Sequence, residues 1–169
     1  MTDFSHQHVI ITGGTRGIGA GLTEAFLKKG ATVMATYASN DGAANAFKEK
    51  HASFGDKLHL AKFDVSDAQG VAAFFADLEK IFPTLEVLVN NSGIRKDGII
   101  ASMSEGDWDQ VLDINLKGTF LMTKHAVLMM MKSRYGRIVN MSSIGGKLGL
   151  HGQANYAASK AGQIAISLV

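Results

Sequence analysis

His8-Val9-Ile10-Ile11-Thr12-Gly13-Gly14-Thr15-Arg16-Gly17-Ile18-Gly19 is the stretch that decides the fold. A short β-branched run, His8 to Thr12, leads directly into a turn with glycines at positions 13, 17 and 19. An amphipathic stretch follows to about Lys29, with apolar Leu22, Ala25, Phe26 and Leu27. The pattern reads as strand, tight turn, helix. Glycine suits such a turn because a side chain would hold a pyrophosphate away from the backbone N–H groups, and because the turn needs unusual φ values. A helix starting near Gly17 aims its open N–H groups and positive dipole end at the phosphates. A glycine-rich turn that merely joins strand to helix is the bland alternative, and its place after the first strand favours a dinucleotide.

Gly30 closes the helix and Ala31 to Thr36 is a second strand. Asn40 to about Phe54 reads as a helix and Leu58 to Val65 as a third strand. A helix from about Ala68 to Phe82 is stopped by Pro83. Glu86 to Asn90 is a fourth strand with Asn91-Ser92-Gly93 as its turn, and a long helical region spans roughly Glu105 to Ser133. Arg137 to Asn140 starts a fifth strand that runs into Ser142-Ser143. After a glycine-rich loop, Asn155 to Val169 reads as helix. Alternating strands and helices, with strands apolar on both faces, predict an α/β fold: a doubly wound parallel sheet covered by helices on either side. One domain over residues 1–169 is expected, without repeats or linkers. An open sheet of this kind is not expected to stop on a helix, so the domain is read as incomplete at its C-terminus, lacking its last strands.

With 169 residues, 46% hydrophobic and 19% charged, the chain can bury a sizeable core and is not disordered. A formal charge of +2 without a basic block argues against nucleic acid. The chain has no Cys, which removes disulfides, thiolate nucleophiles and Cys-based zinc sites, and its six His do not cluster at metal-ligand spacing. No metal is inferred. No apolar run approaches the roughly 20 residues of a membrane span. Met1 to His8 lack the layout of a signal peptide, and a cytoplasmic location is expected.

The cofactor can be read further along. An NAD site places Asp or Glu about 20 residues past the glycines to accept from the ribose hydroxyls. Here the second strand ends Ala35-Thr36-Tyr37-Ala38-Ser39, with no carboxylate before Asp41. A 2′-phosphate meets no repulsion there and Arg16 offers it a guanidinium fork, so NADP is favoured; the alternative leaves Arg16 in solvent while Asp41 reaches back. Asp64, at the end of the third strand, either holds the adenine amino group or caps the next helix. The residues expected against the cofactor are Gly13, Thr15, Arg16, Gly17, Ile18 and Gly19 of the turn, then Thr36, Asp64, Val65, Asn91, Ser92 and Gly93.

Tyr156 and Lys160 stand i, i+4 on the last helix and share a face. A phenol is too weak an acid for neutral pH, but a neighbouring ammonium stabilises the phenolate and brings it toward the working range. Ser143 is placed to hold a substrate oxygen. Asn115, inside the long helix, is uncomfortable there and suggests a local kink or a bound water. A Tyr-x-x-x-Lys pair alone also occurs by chance on many helix surfaces.

Thr12-Gly13-x-x-x-Gly17-x-Gly19, Asn90-Asn91-Ser92-Gly93, Asn115, Ser143 and Tyr156-Ala157-Ala158-Ser159-Lys160 together resemble the short-chain dehydrogenase/reductase family in order and spacing. Through Asn91 to Asp97 and Gly152 to Tyr156 the chain is most similar to the branch of 3-oxoacyl-acyl-carrier-protein reductases and acetoacetyl-CoA reductases. The resemblance implies a Rossmann-type fold with Tyr156 as general acid and Lys160 lowering its pKa and binding the nicotinamide ribose. It also implies that Ser143 orients the carbonyl and Asn115 holds a relay water. Ser92 departs from the alanine usual at that position. The family runs on for about half this chain's length again, and the missing part would supply the last two strands and the lid over the substrate.

The implied activity is NADPH-dependent reduction of a 3-oxoacyl thioester, linked to acyl carrier protein or coenzyme A. Two alternatives stay open: an alcohol dehydrogenase acting on a sugar, a steroid or a small ketone, and a shortened, non-catalytic dinucleotide-binding module. The methionine-rich run Val127 to Met131 fills core space or, as in the family, pairs subunits into a homodimer or homotetramer. Arg134 and Arg137 either meet an acidic carrier protein or are ordinary surface charge, as are Arg95 and Lys96 against a phosphopantetheine phosphate.

Overall fold

Side-chain alternation along β1 (His8–Ile11) divides the interior in two. Val9 and Ile11 pack with Leu27, Val33, Ala35, Phe47 and Val89. Ile10 faces the other way, against Met34, Phe74, Phe75, Leu88 and Met122. Both faces of the strand are therefore buried, as a parallel sheet covered on each side requires. The computed structural model describes residues 3–169.

The sheet has five strands in the order β3-β2-β1-β4-β5. Its other members are β2 (Thr32–Tyr37), β3 (Leu58–Lys62), β4 (Val87–Asn90) and β5 (Arg137–Asn140), and every pairing is parallel. In register, Ile10 lies beside Met34 and Leu88, and Asn90 beside Asn140. Helices α1 (Gly17–Lys28) and α2 (Asp41–Lys50) cover one face, and α3 (Ala68–Leu78) and α5 (Gly118–Ser133) the other. Helix α4 (Glu105–Leu112) is capped by Ser104, whose Oγ accepts from Asp107 N at 3.0 Å. Helix α7 (Ala154–Ile166) packs on α4 and on the short α6 (Gly145–Leu148). β5 is one edge of the sheet, and its Val139 is 46% exposed. No helix among the described residues is long and apolar enough to cross a membrane.

Several boundaries differ from the sequence reading. α2 stops at Lys50 and gives way to 3-10 turns over Ala52–Lys57, where Gly55 takes a positive φ. α3 ends at Leu78, before Pro83, because Lys80, Ile81 and Phe82 turn back onto the helix's last carbonyls. The stretch from Glu105 to Ser133 is one helical path but not one α-helix: Asp113–Lys117 is a π turn, with Gly118 N donating to Asp113 O, five residues back. Asn115 sits in this widened turn and is fully buried.

Candidate active site

The strand order reverses between β1 and β4, and the chain leaves the carboxyl ends of these two strands in opposite directions. Thr12 joins the two ends. Its Oγ1 accepts from Asn91 N and Ser92 N, both at 2.9 Å, while Asn91 Nδ2 donates to Thr12 O at 2.9 Å. The glycine turn and the β4 turn are thereby held side by side. Gly19 has no room for a side chain, since a Cβ there would stand 2.1 Å from Gly13 O and 2.6 Å from Asn91 Nδ2. In the sequence Thr12 is only the first letter of the glycine motif; its role depends on a strand 77 residues away.

A crevice of about 400 Å³ opens along this seam. Gly13, Thr15, Arg16, Gly17, Ile18 and Gly19 form one wall. Thr36, Asp64, Val65, Asn91, Ser92 and Gly93 line the rest, together with Tyr37 to Asn40, Phe63, Ile94 and Ile114. The N-terminus of α1 suits a dinucleotide. Its N-cap residue Arg16 makes no side-chain cap bond and its first turn carries no acidic residue, so the first N–H groups remain open and the dipole is uncompensated. An anionic pyrophosphate suits that terminus.

At the far end of β2, Asp41 is engaged elsewhere. Its carboxylate accepts from Lys62 Nζ at 2.7 Å, and this contact holds it below the usual carboxylate range. Asp64 lies two residues past β3 and is not the helix cap. Its Oδ1 accepts from Ser66 N at 2.9 Å and Ser66 Oγ at 2.7 Å, while Asp67 caps α3.

Helix α7 brings Tyr156 and Lys160 to one face, with the Lys160 ammonium 5.6 Å from the centroid of the Tyr156 ring. Lys160 is buried, and the loss of water pushes its ammonium down to about 8. Nζ donates to Met141 O, just past β5, at 2.7 Å and to Gln163 Oε1 at 2.9 Å. Gly93, of the crevice wall, lies alongside: a Cβ built on it would be 3.7 Å from Lys160 Nζ and 3.3 Å from Asn115 Oδ1. Arg95 also stands over the phenol, 5.9 Å from its centroid.

Ser143 begins the turn into α6, where its Oγ accepts from Gly145 N at 3.1 Å. Ser142 Oγ donates to Lys160 O at 2.8 Å, which ties this loop to α7. Asn115 holds the π turn against the segment after β4: Oδ1 accepts from Ile94 N at 2.8 Å, and Nδ2 donates to Ile94 O at 3.0 Å and Ser159 Oγ at 3.1 Å. Three buried residues brace the site with roles of their own that the sequence does not give them. Asn155 donates to Lys96 O and Asp107 O, Ser159 bridges Asn115 to Tyr156 O, and Gln163 reaches from Lys160 to the π turn. Polar side chains at these buried helix positions are the available signal.

The model of the short chain dehydrogenase family matches residues 7–168. The chain is 45% identical over 156 residues to an acetoacetyl-CoA reductase of Paracoccus denitrificans, covering 92% of this chain and 62% of that protein. It is 38% identical over 155 residues to a 3-oxoacyl-[acyl-carrier-protein] reductase of Aquifex aeolicus, again covering 92% and 62%. A crystal structure of an Agrobacterium tumefaciens protein assigned as a gluconate dehydrogenase superposes with a TM-score of 0.92 at 26% identity, covering 97% of this chain and 64% of that one. The chain thus spans less than two thirds of the length of these relatives. A family match that begins before β1 and ends beyond α7 leaves no element of the fold outside it, and the chain belongs to the short-chain dehydrogenase family.

Proposed function

We propose that the protein reduces 3-oxoacyl thioesters, carried on acyl carrier protein or coenzyme A, to the 3-hydroxyacyl form with NADPH. The observation that carries this reading is the Lys160 ammonium, buried beside Gly93 at the crevice and 5.6 Å from the Tyr156 ring. When bound, NADPH supplies the hydride that goes to the 3-keto carbon. Tyr156 gives its phenolic proton to the oxygen that becomes the alcohol, and the ammonium stabilises the phenolate left behind. Two of the ammonium's hydrogens go to Met141 O and Gln163 Oε1, which would leave the third for a ribose hydroxyl of the bound cofactor. The Ser143 hydroxyl orients the carbonyl.

The preference for NADPH over NADH is supported by Asp41, which Lys62 already engages, and by the carboxylate-free lining from Thr36 to Asn40 facing Arg16. The thioester class is supported by the two reductase relatives. Phe120, Leu128 and Met131 expose an apolar stripe on α5 that supports pairing of two copies of the chain. Arg134 and Arg137, on either side of the turn into β5, suit an acidic carrier.

The test is loss of reduced-nicotinamide absorbance with acetoacetyl-CoA, for the wild type and Tyr156→Phe. The variant is expected to keep NADPH binding and to lose at least ~100-fold in rate. Equal rates would remove Tyr156 from the reaction. A keto sugar acid in place of the thioester, which has a carbonyl to accept the hydride, tests the second reading, which the gluconate dehydrogenase likeness favours.

A further inference from the structure

Gln163 lies one turn beyond Lys160 on the inner face of α7 and is completely buried, at a position where an apolar side chain is the usual choice. Its carboxamide is fully used. Nε2 donates to Asn115 O at 2.9 Å and to Thr119 Oγ1 at 2.7 Å, while Oε1 accepts from Lys160 Nζ at 2.9 Å. Thr119 Oγ1 itself donates to Asn115 O at 2.8 Å, so it offers only a lone pair to Gln163. The amide has one workable orientation. Flipped, it would set an oxygen against the Asn115 carbonyl and an NH₂ against an ammonium. A buried amide without partners costs several kcal/mol, so this geometry is specified rather than tolerated.

We propose that Gln163 is a positioning residue for the Tyr156–Lys160 pair: its carboxamide spans from the π-turn carbonyl of Asn115 to the Lys160 ammonium and fixes where that ammonium points. The inference rests on reading these two residues as the reacting pair. Met141 O and Gln163 Oε1 occupy two of the three N–H directions, and this leaves the third for the Gly93 side of the crevice. The carboxamide also keeps a desolvated lysine cationic, because it gives the ammonium an acceptor where water is excluded. Tyr156, on the same helix, is the titratable group against which the Lys160 ammonium rests, and Arg95, from the segment after β4, stands over that phenol. No carboxylate of the described residues pairs with it.

The role predicts a change that a purely structural helix-to-helix tie would not produce. Lysine labelled with ¹³C beside the amine is titrated by NMR in the wild type, Gln163→Met and Gln163→Glu, with the Lys160 signal assigned by its loss in Lys160→Met. Gln163→Met keeps the length and removes the acceptor. Its Lys160 midpoint is expected to fall by about one pH unit, a tenfold loss of proton affinity, and that of Gln163→Glu to rise by at least as much. Three coincident midpoints would overturn the proposal, as would loss of the folded spectrum in both variants, which would make the residue structural. The titration needs no turnover. A wild type inert toward acetoacetyl-CoA would count against the reductase reading, while the midpoints alone decide the role of Gln163.

Discussion

Lys160 carries its charge at a position that is 4% exposed, and the cost of that burial is visible in its proton affinity. The folded chain releases the proton at about 8. An unfolded lysine holds it to about 10.4. Between those values the unfolded chain binds more protons than the folded one, so stability rises with pH through the window. The penalty is fully present below about 8 and fades as pH climbs from there. Urea unfolding of the wild type and of Lys160→Met, compared from neutral pH to about pH 10, should show the difference shifting toward the wild type by on the order of 2 kcal/mol. Parallel curves would mean the ammonium is solvated. Arg16 gives a second prediction at the same scale. On the proposed preference for NADPH, Arg16→Ala should weaken its binding by roughly 10- to 100-fold and leave NADH unchanged in a fluorescence titration, because the variant removes the one guanidinium offered to the 2′-phosphate. Equal effects on both cofactors would place Arg16 against some other part of the ligand. Tyr156, Lys160 and Asn115 are legible in the sequence because each is an awkward or paired residue within its own helix. Gln163, Ser159 and Thr12 are not, since each makes part of its bonding to a distant element that must first fold against it.

Elements whose stability comes from packing are the ones local sequence misrepresents. Gly145–Leu148 is a helical turn, yet its two glycines are poor helix formers and the stretch reads as a loop. What holds it is contact with α7, where a Cβ at Gly146 would stand 2.7 Å from Lys160 C and 2.8 Å from Ala161 N. These two effects oppose each other in Gly146→Ala. Helix propensity alone would favour alanine by about 1 kcal/mol. Overpacking against backbone atoms, which cannot rotate away, costs roughly 1–3 kcal/mol. The variant is therefore expected to be less stable in urea and to lose the proposed reductase activity, because α6 carries the Ser143 turn away from Lys160. A more stable variant would show that the two helices can separate freely. The π turn is half legible. Asn115 predicts a kink, but a five-residue widening requires knowing that its side chain is drawn to Ile94 and its carbonyl to α7.

At the scale of the molecule, alternation of apolar runs with helices is enough to predict a parallel sheet. The order β3-β2-β1-β4-β5 is not legible, because nothing local records which strand lies beside β1. That order makes the crevice: the glycine turn and the β4 turn meet only because β4 pairs with β1, with Val9 beside Val87 in register. A dinucleotide seated there contacts both halves of the sheet and stabilises the whole fold by mass action. At about 100 times its dissociation constant NADPH should add ~2.7 kcal/mol, which for a chain of this size raises Tm by roughly 5–10 °C. NADH at the same concentration should give less. Gly19→Ala is the control, because its Cβ would strike Gly13 O at 2.1 Å and force the two turns apart. Its own Tm is expected to fall, and the decisive quantity is the NADPH-induced increment, which should vanish. An increment equal to that of the wild type would put the dinucleotide somewhere other than the seam between β1 and β4.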